Sequence, residues 1–220
     1  MYHIAPVIGT YAYLHYPKDI RINANVLFLL SILHNASLVV FSAWTFYSLS
    51  TSMYKYGLVF EPRHYLQHEE IDMAIFYFYI SKYYEYVDTF LLHLNGKTPI
   101  FLQKFHHVGA VICWHLGYYY KVDSVVFASL LNSLIHTFMY SYYLGSLLKI
   151  KKVRSIKPYL TFAQLVQLGQ FPVVICFYKN ESLVNYSVMF IFSCYATILI
   201  GLFMHFYWTN YIKNISAKNT

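Results

Sequence analysis

The pentapeptide QKFHH, residues 103–107, sets an amide, an ammonium and two imidazoles at the head of an apolar run. A neutral imidazole can act as nucleophile, general base or metal ligand, so His106 and His107 are the first candidates for chemistry. Neighbouring side chains on a helix diverge by about 100°, which predicts different tasks for the two rings. Gln103 lies three residues before His106 and four before His107. If the helix includes it, its amide reaches either ring and can fix a tautomer.

Other polar residues recur inside apolar stretches at helical spacing. In SKYYEYVDTFLLH, Lys82, Glu85, Thr89 and His93 share one stripe, with Asp88 at its edge. In NSLIHTFMYSYY the stripe is Asn132, His136, Met139 and Tyr143, and in TFAQLVQLGQF it is Thr161, Gln164 and Gln167. Intramembrane charges are costly and face a bundle interior in pairs. A Lys82–Glu85 ion pair that only locks two helices would leave Asp88 unexplained. One such stripe is ordinary interhelical hydrogen bonding. Three of them together with the histidine pair predict a polar cavity shared by four helices.

The elements that must position these groups are membrane helices, because 58% of the 220 residues are hydrophobic and only 11% are charged. Runs of spanning length predict an all-α polytopic membrane protein, one domain over residues 1–220, with about six spans. They fall near 26–49, 70–94, 105–120, 124–146, 159–178 and 187–210. Residues 4–16 make a re-entrant piece, an interfacial helix or a shortened seventh span; without a basic start or a small-residue cleavage site they do not read as a signal peptide. Eleven lysines and arginines fall in connections on one side, among them Lys18, Lys97, Lys104, Lys152, Arg154 and Lys218, against Lys55, Arg63, Lys121 and Lys179 on the other. The positive-inside rule then places the QKFHH end at the cytosol. The net charge of +7 follows from those loops and suits a phosphate-bearing substrate, with Lys97 and Lys104 at its entrance. No basic stripe on a soluble surface points to nucleic acid. Cys113, Cys176 and Cys194 fall within spans as small core residues, and Cys113 lies about 10 Å along a helix from His106, too far for a direct thiol–imidazole pair.

Two readings of these residues are open to test. QKFHH resembles the last histidine box of di-iron desaturases and hydroxylases, and HYLQH, residues 64–68, a first box. Di-iron ligands must gather around one metal pair, whereas the span 70–94 puts His64 and His68 on the face opposite His106 and His107. A small polytopic transporter needs polar groups at both mouths, and here they cluster toward one.

The ordered set KYYEYVDT, QKFHH, NSLIHTFMYSYY and TFAQLVQ, over residues 82–167, resembles the motifs of the ELO family of very-long-chain fatty acid elongases; LHNASLVVFS, residues 33–42, resembles the start of that family's second span. The resemblance implies helices around a central acyl tunnel in the endoplasmic reticulum membrane. It implies condensation of a long-chain acyl-CoA with malonyl-CoA to a 3-oxoacyl-CoA, with release of carbon dioxide and CoA and no metal or other cofactor. It also implies His106 as carrier of the acyl group, His107 as orienting or proton-relaying neighbour, and His136 with Asn132 as binder of the thioester or enolate oxygen. Lys82, Glu85 and Asp88 would form a charged wall; Gln103, Thr89, Tyr140, Tyr143, Gln164 and Gln167 would line the substrate path with the two entrance lysines. Expected partners are the two CoA thioesters, the bilayer, other elongation-cycle enzymes and a second copy of the chain. Two departures stand out. Gln103 occupies the place of the box's first histidine, which excludes ring chemistry there, and the N-terminal segment is short.

Overall fold

The computed structural model describes residues 3–16, 20–178 and 180–213, all helices and connections. Lys18, Lys179 and Lys218, counted above, lie outside the described residues, as does the side chain of Arg154.

Helix α1 covers Ile4–Leu14, α2 Ala24–Tyr56, α3 Glu69–Tyr84, α4 Tyr86–Leu94, α5 Phe101–Tyr119, α6 Ser124–Leu147, α7 Lys157–Leu168, α8 Gln170–Ile175 and α9 Leu183–Tyr207. Their ends follow local chemistry. The Asn23 side chain accepts from the Asn25 N–H at 2.9 Å and Ser182 caps α9 in the same way. Gly57 and Gly96, at φ 80° and 71°, turn the chain out of α2 and α4, a conformation that suits a residue without Cβ. Pro158 sits in the first turn of α7, where its missing N–H has no partner to lose.

Single residues, Glu85 and Gly169, separate α3 from α4 and α7 from α8, and both keep right-handed helical dihedrals. Each pair therefore continues as one rod. Seven rods result among the described residues; the six after α1 match the predicted spans and close into a ring. In it α2 packs on α6, α6 on α7, α7 on α9, α9 on α5, α5 on α3 and α4, and these on α2. Three helices, Ala24–Tyr56, Ser124–Leu147 and Leu183–Ile212, are long and apolar enough to cross a bilayer by length and composition; the second of them carries the Asn132–Tyr143 stripe, and the α3–α4 rod and α7 carry the other two. Large apolar side chains such as Val40, Phe138 and Phe190 point outward, as a lipid-facing wall requires. The chain is an all-α, multi-pass membrane protein.

α1 lies outside the ring along α5 and α4. His3 Nδ1 meets His115 Nε2 at 3.0 Å, the Tyr13 hydroxyl meets Thr89 at 2.9 Å, and the Tyr16 ring lies 5.6 Å from that of His93. At about 16 Å α1 braces the wall and is shorter than the three helices long enough to cross a bilayer.

The two ends of the ring differ. The end formed by the α2–α3, α5–α6 and α8–α9 connections is filled by a core that includes Phe78, Trp114, Phe171 and Phe192. Asp123 ties it shut, accepting the backbone N–H groups of Tyr65 at 2.8 Å and Leu66 at 3.0 Å. The end bearing Lys97 and Lys157 is hollow.

Candidate functional site

A cavity of about 540 Å³ occupies the hollow half of the ring. Its lining joins α2, α4, α5, α6, α7 and α9, more than the four helices expected. Of the residues singled out above, Glu85, Asp88, Lys97, Gln103, His106, His107, Asn132 and His136 line it, as do Tyr140, Tyr143, Gln164 and Gln167. Lys82, Thr89 and Lys104 are absent from the lining. Lys82 is 1% exposed, behind Glu85 and Asn132. Thr89 is held between α1 and α5 by Tyr13 and by Gln103, whose Nε2 donates to it at 3.2 Å. Lys157, counted only for orientation, lines the mouth with Lys97.

The charged wall is one network. Lys82 Nζ donates to Glu85 Oε1 at 2.7 Å and to Asn132 Oδ1 at 3.0 Å, and Asn132 Nδ2 reaches Gln167 at 3.4 Å. His136 Nδ1 stands 3.3 Å from the same Glu85 oxygen. A carboxylate can only accept, so Nδ1 carries the His136 proton and Nε2 the lone pair. Asp88 has partners of its own: it accepts from His34 Nε2 at 2.8 Å and from the Tyr140 hydroxyl at 2.7 Å.

Gln103 does not orient either histidine. α5 does begin before it, at Phe101, but the approach of α4 draws its amide to Thr89. The tautomer of His106 is fixed from α9. The Tyr195 hydroxyl donates to the His106 carbonyl at 2.9 Å and lies 2.9 Å from His106 Nδ1. Its single proton is committed to an oxygen that can only accept, so Nδ1–H donates to the phenol and Nε2 keeps the lone pair. Gly109 permits this approach, because a Cβ there would come within 2.1 Å of the Tyr195 ring. His107 points elsewhere, near the Tyr13 and Tyr86 rings, and its buried Nδ1 has no partner among the described residues. The two rings are thus held apart, as the helical geometry predicted.

Glu85, His106 and His136 offer donor atoms that all lie within 4.8 Å of one another. That spacing suits a divalent cation, although Glu85 Oε1 is already engaged by Lys82. His64 and His68 sit at the filled end, stacked near Tyr56, about 24 Å along the α3 rod from Glu85.

The described residues thus form a multi-pass helical ring around a cavity lined by His106, His107 and His136. The chain belongs to the ELO (GNS1/SUR4) family, whose profile matches residues 2–219. It is 31% identical over 200 residues to fatty acid elongase sre1 of Dictyostelium discoideum, covering 84% of this chain and 73% of that protein. It is 30% identical over 199 residues to very long chain fatty acid elongase 7 of Drosophila melanogaster, covering 83% and 59%. To a very long chain fatty acid elongase 4 of Trypanosoma cruzi it is 34% identical over 120 residues, covering 54% and 42%.

Proposed function

We propose that this chain takes part in fatty acid elongation as a 3-oxoacyl-CoA synthase, joining an acyl-CoA to malonyl-CoA in the endoplasmic reticulum membrane. The observation that carries the reading is His106, which lines the floor of a blind membrane cavity with Nδ1 locked to Tyr195 and Nε2 free. Its elongase relatives support the same reading.

In the first step His106 Nε2 attacks the thioester carbonyl, a C–N bond forms, the C–S bond breaks, and the thiolate leaves as CoA with the proton released from the imidazole. Acyl-imidazoles hydrolyse in water, so a cavity walled by protein and lipid is a fitting place to hold one. In the second step malonyl-CoA loses carbon dioxide, its enolate carbon attacks the acyl carbonyl, the C–N bond breaks, and a proton taken up from solvent returns the departing imidazolate to neutral His106. Negative charge develops on oxygen in both steps. His136, with Glu85 behind its Nδ1, can hold a proton on Nε2 and donate it to that oxygen, and Asn132 stands beside it. Lys97 and Lys157 at the mouth suit the phosphates of CoA.

Microsomes carrying the chain, given radiolabelled malonyl-CoA and an acyl-CoA panel, should form labelled 3-oxoacyl-CoA; no label above control microsomes with any acyl-CoA would reject the proposal. A metal requirement is tested separately through the Glu85, His106 and His136 donors. Protein stripped by chelators is expected to keep its condensing activity, with metal analysis finding well under one ion per chain. Two irons per chain and loss of activity on chelation would return the desaturase reading.

A further inference from the structure

A thioester held at His106 has two arms, the pantetheine arm of CoA and the acyl chain. The CoA nucleotide is charged and stays at the mouth near Lys97 and Lys157, so the pantetheine arm fills the cavity from the mouth inward. A long acyl chain then needs room beyond His106. There is none.

On α5 the cavity lining ends with His106 and His107, and the following inward residues Ala110, Val111, Cys113 and Trp114 are all buried to 2% exposure or less. Trp114 lies about 12 Å past His106 along the helix. Its ring meets Phe192 edge-on at 5.0 Å and Phe171 at 6.4 Å, while Phe171 and Phe192 stack at 4.7 Å. The indole N–H donates to Ser129 at 2.8 Å, which fixes the ring across the axis of the bundle. α5, α6, α8 and α9 thus build one aromatic layer under the site. Past that layer the bundle holds a crevice of about 20 Å³ beside Phe171 and Phe192, room for a water and no more.

Resting on the acyl-transfer reading above, we propose that this site takes short to medium acyl groups, and that the layer of Trp114, Phe171 and Phe192 is the stop that sets this limit. Interiors packed at crystal density do not part for a chain without losing the contacts that close them. The acyl group therefore shares the 540 Å³ cavity with the pantetheine arm. The long chains implied by the family resemblance have no continuation of the cavity past the histidines to run into.

The test compares butanoyl-, octanoyl-, dodecanoyl- and stearoyl-CoA with radiolabelled malonyl-CoA, using the full chain in microsomes. Wild type is expected to show kcat/KM for octanoyl-CoA at least about tenfold above that for stearoyl-CoA, the discrimination that a closed apolar pocket supplies. Phe171→Ala and, as a gentler change, Phe192→Leu should raise stearoyl turnover about tenfold while octanoyl turnover persists and reports intact folding. A wild type that prefers stearoyl-CoA overturns the limit. An octanoyl-to-stearoyl ratio unmoved in a variant that still turns over octanoyl-CoA overturns the role of the layer. No product from any acyl-CoA defeats the acyl-transfer reading itself, and this inference falls with it.

Discussion

Mixed with an acyl-CoA the cavity accepts, before any malonyl-CoA is added, the wild-type chain is expected to release free CoA and to carry an acyl adduct on His106. His106→Ala should show neither and should condense nothing, because the nitrogen that carries the acyl group is gone. Tyr195→Phe keeps the ring but removes both of its ties, to the carbonyl and to Nδ1. The lone pair then distributes over both nitrogens and the ring can turn, which should slow adduct formation by about 10–100-fold, the usual loss when an orienting partner is removed. Its signature is selective: kcat falls more than KM rises, since the cavity keeps its lining. His107→Ala should slow turnover while the adduct still forms, and Gln103→Ala, which loosens only the tie to Thr89, should leave both adduct and turnover near wild type. Mass spectrometry of the peptide containing residue 106, with CoA release followed by a thiol reagent, reads all four variants. CoA release that requires malonyl-CoA would mean that both substrates meet in one complex, and His106 would then be a base or an orienting group.

The contrast between Gln103 and Tyr195 marks what was legible in the sequence. Span positions and the polar stripes were, because they follow from hydropathy and from repeats of three and four residues. The convergence of Glu85, Asn132, His136 and Gln167 on one cavity also followed, since each stripe had to face the same interior, with Lys82 buried behind that wall. Pairings across helices did not. His34 meets Asp88 from 54 residues away and Tyr195 meets His106 from 89. Tyr195 sits in FSCYATILIG, a stretch whose periodicity reads as lipid-facing or core. The one local signal was Gly109, three residues past His106, where the absent Cβ makes room for a neighbouring ring; it announces a close approach without naming the partner. Gln103 failed in the opposite sense. Its spacing to both histidines was right, but the approach of α4 offered Thr89 as another acceptor, and spacing along one helix carries no information about that.

Lys82 is where structure and chemistry can be separated. It is buried with Glu85 under the cavity floor, its ammonium 4.0 Å above the Phe78 ring and 5.1 Å from the Trp114 ring. Lys82→Met removes the cation and leaves the Glu85 carboxylate buried with His136 as its remaining partner. Breaking a buried pair from one side costs about 3–5 kcal/mol, so the variant should unfold at markedly lower temperature in detergent, and its activity should vanish with its fold. The double variant Lys82→Met, Glu85→Gln removes both charges. A neutral amide still accepts from His136 Nδ1, and replacement of a buried ion pair by uncharged groups is often near neutral for stability. Its thermal unfolding should return toward wild type. Condensation should not return, because the carboxylate that lets His136 hold a proton is gone. Recovery of both stability and turnover in the double variant would make the pair structural and leave His136 to act without it. If instead Lys82→Met alone kept wild-type stability, the buried charge would have to be balanced by a group outside this network.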